Sequence, residues 1–297
     1  MVEVGKFTLE SLTTGMYSDP RIVYREYIQN SVDSIENAVA EGLMSNEDAY
    51  IKVFIDAENA CISIIDNGKG ISVARATNVL LSIGKSTKRQ DANRGFRGIG
   101  RLGGLSYCER LLFTTSVQGE DVATRIIFDC KLLKSLLSPD HEEELDLQSV
   151  IERITEVEEI DADKDDHFFR VDMDEVDSSS ELLDLDEIKQ YLSEVAPVPY
   201  DERHFVVAPE IKRFLNEHDY TLTEFKIFIG YDEDHLKQVH KPNRYRFRSD
   251  RNQRTEDVIT EVVTFSIDLD STSSLLGWYG RCNWNGTLSD NGLLGMR

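Results

Sequence analysis

Residues 26–33 read Glu26-Tyr27-Ile28-Gln29-Asn30-Ser31-Val32-Asp33, and the fold is read outward from them. Ile28, Val32, Ile35 and Val39 recur at spacings of four, three and four, which is one apolar stripe of a helix over 21–41. Gly42 is its stop signal. Glu26, Asn30 and Asp33 recur at four and three and share a second face. Residue 28 lies roughly 200° around the helix from residue 26, so the polar row opposes the apolar stripe. One helix therefore offers an apolar back to a core and a carboxylate–amide–carboxylate row to whatever lies in front. A carboxylate can orient and deprotonate water. An amide oxygen suits Mg²⁺, which takes hard oxygen ligands together with water and phosphates. Taken alone, such a row is most often an ordinary solvent-facing stripe.

Beyond this helix, alternation of Ile51, Val53 and Ile55, then of Ile62 and Ile64, predicts a strand hairpin turning at Ala57-Glu58-Asn59. Residues 73–83 read as a short helix. Gly84 to Gly104 holds six glycines and reads as loop. Arg110–Ser116 and Thr124–Cys130 read as a further strand pair. Residues 131–166 are strongly acidic and read as a solvated helix face or a mobile insertion. His167–Val176 reads as a strand and Glu181–Val195 as a helix. Pro197 and Pro199 end that helix, because two prolines so close cannot sit inside one. A domain boundary is placed there: 1–195 first, with the acidic segment inside it, then 196–297 as a smaller α/β domain of short strands and a helix at Ile211–Asn216. Helices and meandering strands mix without regular βαβ alternation. The fold class is therefore α+β, a two-layer sandwich with helices on one face of a mixed sheet.

Two more stretches carry chemistry. In Ile65-Asp66-Asn67-Gly68-Lys69-Gly70-Ile71, Asp66 ends a strand on the face of Ile62 and Ile64, so its carboxylate needs a donor. An adenine amino group could supply it, and Gly68 and Gly70 would let a flat ring approach the backbone. In Gly95-Phe96-Arg97-Gly98-Ile99-Gly100-Arg101-Leu102-Gly103-Gly104, successive unshielded amides can cradle an anion. Lys85, Lys88, Arg94, Arg97 and Arg101 add positive charge around it. A simple Gly-x-Gly turn and a surface loop are the plainer explanations of each stretch taken singly.

The composition suits a globular chain of 297 residues, 40% hydrophobic, with 18 glycines. Its net charge of −22 gives no long-range attraction to nucleic acid or to an anionic membrane. The four cysteines form no CxxC pair and no zinc-ligand cluster, so they read as free thiols in a reducing compartment. No leader-like apolar region and no run of about 18 apolar residues is present, which predicts a cytoplasmic chain without a membrane span.

The three stretches in this order resemble the boxes of the ATPase superfamily that groups gyrase, the ninety-kilodalton heat-shock chaperone, histidine kinases and MutL (GHKL). REYIQNSVDSI resembles its N box, IDNGKGIS its DxGxG box and GFRGIGRLGG its GxxGxG lid box. Ser82-Ile83-Gly84-Lys85-Ser86-Thr87 looks like the start of the lid in chaperone-type members, and Arg25-Glu26 with Asn30 matches that branch. The segment from Pro197 resembles the start of the middle domain that follows there, cut short at its C-terminal end.

The resemblance implies a Bergerat-type ATP-binding fold over roughly residues 7–195. It implies Glu26 as general base, Asn30 as ligand to Mg²⁺, and Asp33 as support for the helix face and the ligand's water network. Asp66 would accept from the adenine amino group, with Gly68 at its turn and Gly70 making room beside the ring. Ile71 and Leu80 would line the pocket. Gly95, Gly98 and Gly100 would bring amides to the phosphates, with Ile99 and its neighbours forming the lid and Lys85 or Arg97 assisting. The implied activity is slow Mg²⁺-dependent ATP hydrolysis that closes the lid, joins two copies into a homodimer and acts on a client protein. Two departures stand out. Asp166-His167-Phe168-Phe169-Arg170, the strand expected near the adenine, lacks the family's threonine. The basic residue that completes the γ-phosphate site from the next domain has no defensible match. The basic stretch 241–254 supports the alternative of a nucleic-acid-handling ATPase of the MutL or MORC type, and a non-catalytic nucleotide sensor is a further one. A histidine kinase needs a phosphoacceptor histidine ahead of the ATP domain, and no histidine precedes His141.

Overall fold

The computed structural model describes residues 19–82, 100–138, 145–245, 259–270 and 273–282. The chain divides into two compact units, Met1–Leu192 with Phe225–Val239, and Ser193–Glu224 with His240–Arg297. The sequence reading kept 196–297 together, whereas residues 225–239 return to the first unit.

The first unit is built on an eight-stranded sheet. Its strands are β1 (Ile51–Asp56), β2 (Cys61–Asp66), β3 (Arg110–Ser116), β4 (Val122–Asp129), β5 (Thr155–Asp161), β6 (Phe168–Asp174), β7 (Ile227–Gly230) and β8 (Lys237–Gln238). The spatial order is β5-β4-β3-β6-β2-β1-β7-β8. Only β1 and β7 run parallel, so the sheet is mixed, as the sequence pattern predicts. The helices are α1 (Ile22–Ala40), α2 (Val73–Leu81), α3 (Cys130–Leu137), α4 (Leu147–Ile154) and α5 (Leu185–Val195), the last running on into the second unit.

Cross-strand register shows why the sheet has one covered face. Directly paired residues point to the same side. Ile55, Ile62, Met173, Leu111 and Phe128 form one row, and Val53, Ile64, Val171, Phe113 and Ile126 the next. All ten are buried. Each contributes roughly 1.5–3 kcal/mol of apolar burial. The third row changes character: Ile51, Asp66, Phe169, Thr115 and Thr124. Here three polar side chains enter the covered face, all nearly inaccessible. Val23, Ile28, Val32 and Ile35 of α1 are likewise buried, and α1 packs against β2.

The described residues of the acidic segment do not form one solvated helix face. They form α3, α4 and the edge strand β5. Leu133, Leu136, Val150, Ile151 and Ile154 are buried, while Glu156 and Glu159 are exposed along β5. Charge on an edge strand discourages pairing with another chain, so the acids have a structural use here.

The second unit holds α6 (Ala208–Asn216) and a hairpin of β9 (Ile259–Asp268) and β10 (Ser274–Cys282). Tyr200, Phe205, Ala208, Ile211 and Leu215 form its core, with Trp278 packed against them. The Trp278 indole donates to the Tyr200 hydroxyl at 3.2 Å.

Candidate functional site

The front of α1 presents Glu26 and Asn30, both half-buried, while Asp33 is buried. The Asp33 carboxylate accepts from Gln29 Nε2 at 3.1 Å, so it stiffens the helix face from within. Glu26 Oε1 accepts from Arg25 at 3.2 Å. Its other oxygen lies against Gly100: a Cβ at that glycine would stand 2.2 Å from Oε2. Gly100 opens a 3-10 turn, Gly100–Ser106. Tyr27 fastens this turn to α1, because its hydroxyl donates to Arg101 O and accepts from Gly104 N–H, each at 3.0 Å. Residue 104 must be small, since a Cβ there would stand 2.5 Å from that hydroxyl oxygen.

Asp66 closes β2 and is 1% exposed. Its Oδ1 accepts from Gly68 N–H at 2.9 Å. Its Oδ2 is buried with no hydrogen-bond partner among the described residues. Burial pushes this carboxyl up to about 7, against the opposing pull of the Ser31 hydroxyl, the Gly68 N–H, the Ser34 hydroxyl and the His167 ring. Asp66 therefore keeps one buried acceptor atom free for a donor, in the row where polar side chains enter the covered face.

The two glycines after Asp66 have packing reasons. A Cβ at Gly68 would stand 2.4 Å from Ser34 Oγ, and Lys69 N–H donates to Ser34 O at 3.2 Å, so the turn lies directly on α1. Gly70 has φ +68°, and a Cβ there would stand 1.9 Å from Ser116 O and 2.9 Å from Phe168 O. On that side Gly70 makes room for the backbones of β3 and β6. Ile71 is half-buried and its N–H donates to Thr115 Oγ1 at 2.8 Å, while the Thr115 hydroxyl donates to Phe168 O at 2.9 Å. Leu80 is buried in α2.

Thr115 and His167 were missed by sequence reasoning. The strand lacking a threonine is the correct neighbour, since Phe169 pairs with Asp66. The side chain reaching the turn is His167, whose Nδ1 lies 2.8 Å from Gly68 O. A carbonyl can only accept, so Nδ1 carries the proton. The missing threonine was itself the available signal. Arg101, named only as local positive charge, donates through Nε to Leu80 O at 3.2 Å and through Nη2 to Ser82 O. Lys85, Gly95, Arg97, Gly98 and Ile99 lie outside the described residues.

Other surfaces offer less. A cleft lined by Tyr107, Glu109, Lys134, Glu175 and Asp177 is polar, and its one cation is already paired with Glu109 at 3.0 Å. In the basic stretch 241–254, Lys241 donates to Glu194 O at 3.1 Å and Ala196 O at 2.7 Å, and burial lowers its pKa. That ammonium ties backbone together within the second unit. Among the described residues, no three His, Cys, Asp or Glu side chains are grouped to hold a metal. No helix among them is long and apolar enough to cross a membrane.

Residues 17–163 match the family described as Histidine kinase-, DNA gyrase B-, and HSP90-like ATPase. Chaperone protein HtpG of Acinetobacter baylyi is 36% identical over 84 residues, which is 26% of this chain and 13% of that protein. HtpG of Clostridium botulinum strain Langeland is 31% identical over 110 residues, 33% of this chain and 18% of that protein. HtpG of Nitrosomonas europaea is 30% identical over 129 residues, 37% of this chain and 20% of that protein. The matched stretches thus span 13% to 20% of these relatives' lengths. Residues 17–163, with the Asp66 turn and the Glu26 helix within them, thus form a domain of the GHKL ATPase type, similar to that of the HSP90-like chaperones.

Proposed function

We propose that this chain binds ATP at the Asp66 turn, hydrolyses it slowly with Mg²⁺, and uses the cycle to drive conformational change in a chaperone-like protein. The observation that carries the reading is the free Oδ2 of Asp66, a buried acceptor beneath α1 with no partner of its own among the described residues. An adenine amino group supplies the missing donor. His167 and Thr115 hold the turn around it, the one on Gly68 O and the other between Ile71 and Phe168.

Glu26 stands one helical turn before Asn30, beside the Gly100 backbone. Its carboxylate orients a water and takes its proton as the water attacks the terminal phosphorus and the bond to the bridging oxygen breaks, releasing ADP and phosphate. Asn30 would offer one hard oxygen to Mg²⁺, an ion that suits oxygen ligands together with water and phosphate. When bound, the ion neutralises charge on the phosphates. In this reading the glycine box from Gly95 to Gly100 closes over the nucleotide, closure joins two copies, and a client protein is the object of the cycle. The free thiols Cys61, Cys108 and Cys130 suit a reducing compartment such as the cytoplasm.

Calorimetric titration of Mg·ADP into wild type and Asp66→Asn tests the reading. Binding by wild type, with a loss of about tenfold or more in the variant, is the expected result. Absence of binding by wild type would overturn it.

A further inference from the structure

Arg101 carries a charge that no acid among the described residues answers. Its guanidinium is half-buried, and burial alone lowers its pKa. Its acceptors are two backbone carbonyls, Leu80 O and Ser82 O, at the C-terminal end of α2. No carboxylate among the described residues forms an ion pair with it, although acids outnumber bases 55 to 33 in the chain. A guanidinium's N–H fork has more donors than two carbonyls use. A desolvated cation without a counter-charge is costly to keep.

Its place in the site suggests what answers it. Arg101 directly follows Gly100, whose backbone lies on the Glu26 carboxylate. Its own carbonyl is held by Tyr27, the residue after Glu26. Among the described residues at this end of the site, Glu26, Asn30 and the Gly100 amide bring no cationic side chain to a polyphosphate, and Arg25 is exposed and paired with Glu26.

We propose that Arg101 is a phosphate-binding residue of the nucleotide site, its guanidinium steered by the carbonyls of α2 so that its remaining donors meet phosphate oxygens. The proposal rests on the nucleotide reading above and gives Arg101, which the sequence offers only as local positive charge, a fixed orientation and a specific role in it. The competing explanation is that Arg101 only fastens α2 to the Gly100–Ser106 turn. The two differ in which part of the ligand they sense.

The test is titration of adenosine and of ADP into wild type, Arg101→Lys and Arg101→Met, with thermal unfolding to verify that each variant folds. In Arg101→Met, ADP affinity falls roughly ten- to hundredfold, the range for a lost charge-assisted hydrogen bond, while adenosine affinity changes less than about threefold. Arg101→Lys keeps the charge and recovers part of the ADP loss. Equal losses for adenosine and ADP, or ADP binding unchanged in Arg101→Met, overturn the assignment. If Arg101→Met does not fold, Arg101→Gln gives the same ratio, since it keeps a donor for the α2 carbonyls without charge. Wild type that binds adenosine and ADP equally well overturns Arg101 alone. Wild type that binds neither overturns the nucleotide reading, and this assignment with it.

Discussion

The Cα of Gly100 rests on the carboxylate of Glu26, so closely that a methyl group there would stand 2.2 Å from Oε2. The contact joins the last glycine of one box to the first carboxylate of another, across a long stretch of chain. It makes the position of Glu26 depend on residue 100 remaining a glycine. Gly100→Ala would push aside the end of a flexible side chain, which costs the fold little. Thermal unfolding is therefore expected to shift by a few degrees at most, while kcat falls about ten- to hundredfold through misplacement of the base. Glu26→Ala should lower kcat further, about 10²–10⁴-fold, with ADP affinity retained. Steady-state hydrolysis and ADP titration on both variants check this, and unchanged turnover in Glu26→Ala would remove the base from the mechanism.

Asp66 gives the protein a pH signature. Its carboxyl titrates near 7 in the folded chain, against about 3.9 when unfolded. Between these values the folded state keeps a proton that the unfolded state has lost. Its contribution to stability is thus fully present below about pH 4, declines as pH rises to about 7, and is level above that. Urea denaturation across this range should show the slope in wild type and its loss in Asp66→Asn. A donor from the ligand favours the ionised form, so ADP affinity is expected to rise with pH up to about 7, with proton release on binding. Equal heats of binding in buffers of different ionisation enthalpy near pH 6.5 would speak against this role.

Tyr27→Phe removes one oxygen that serves both Arg101 O and Gly104 N–H. Leaving those backbone groups unpaired in the interior should cost about 1–3 kcal/mol, read as a lower urea midpoint with unchanged m-value. Because Gly100 sits in the turn this hydroxyl anchors, turnover should fall as well. A variant as stable as wild type would mean the turn is held by other contacts.

Thr115→Val keeps the shape of the side chain and removes its hydroxyl. Ile71 N–H then loses its acceptor and Phe168 O its donor, for an expected cost of about 1–3 kcal/mol. The Gly70–Ile71 backbone is released from β3, so ADP affinity should drop, whereas Thr115→Ser should restore both properties. Failure of serine to restore binding would point to packing rather than the hydrogen bonds.

Much of the first unit was legible from local pattern. The apolar stripe around Ile28, Val32 and Ile35 marks α1, and alternation marks β1, β2 and β3, because period and burial are local properties of a helix or a strand. Glu26 and Asn30 were legible as a pair because their spacing is fixed within α1, and Asp66 because alternation along β2 sets its face. In the acidic segment the strand β5 was not legible, since charge reports exposure and not pairing, and β5 is exposed at an edge while still bonded to β4. Gly70 shows a related limit. A glycine announces close approach but not what approaches, and here it is the backbone of Ser116 and Phe168.

The sequence by itself determined the α+β class, the order of the three boxes and the residues that could carry their chemistry, because each depends on neighbours within a few residues. Only the tertiary structure decided that β7 returns to pair with β1, that His167 takes hold of Gly68 O, that Gly100 lies on Glu26, and that Asp66 keeps one buried oxygen without a partner. Each of these is a contact between segments far apart in the chain. Such contacts follow from strand register and helix packing, which no local spacing encodes.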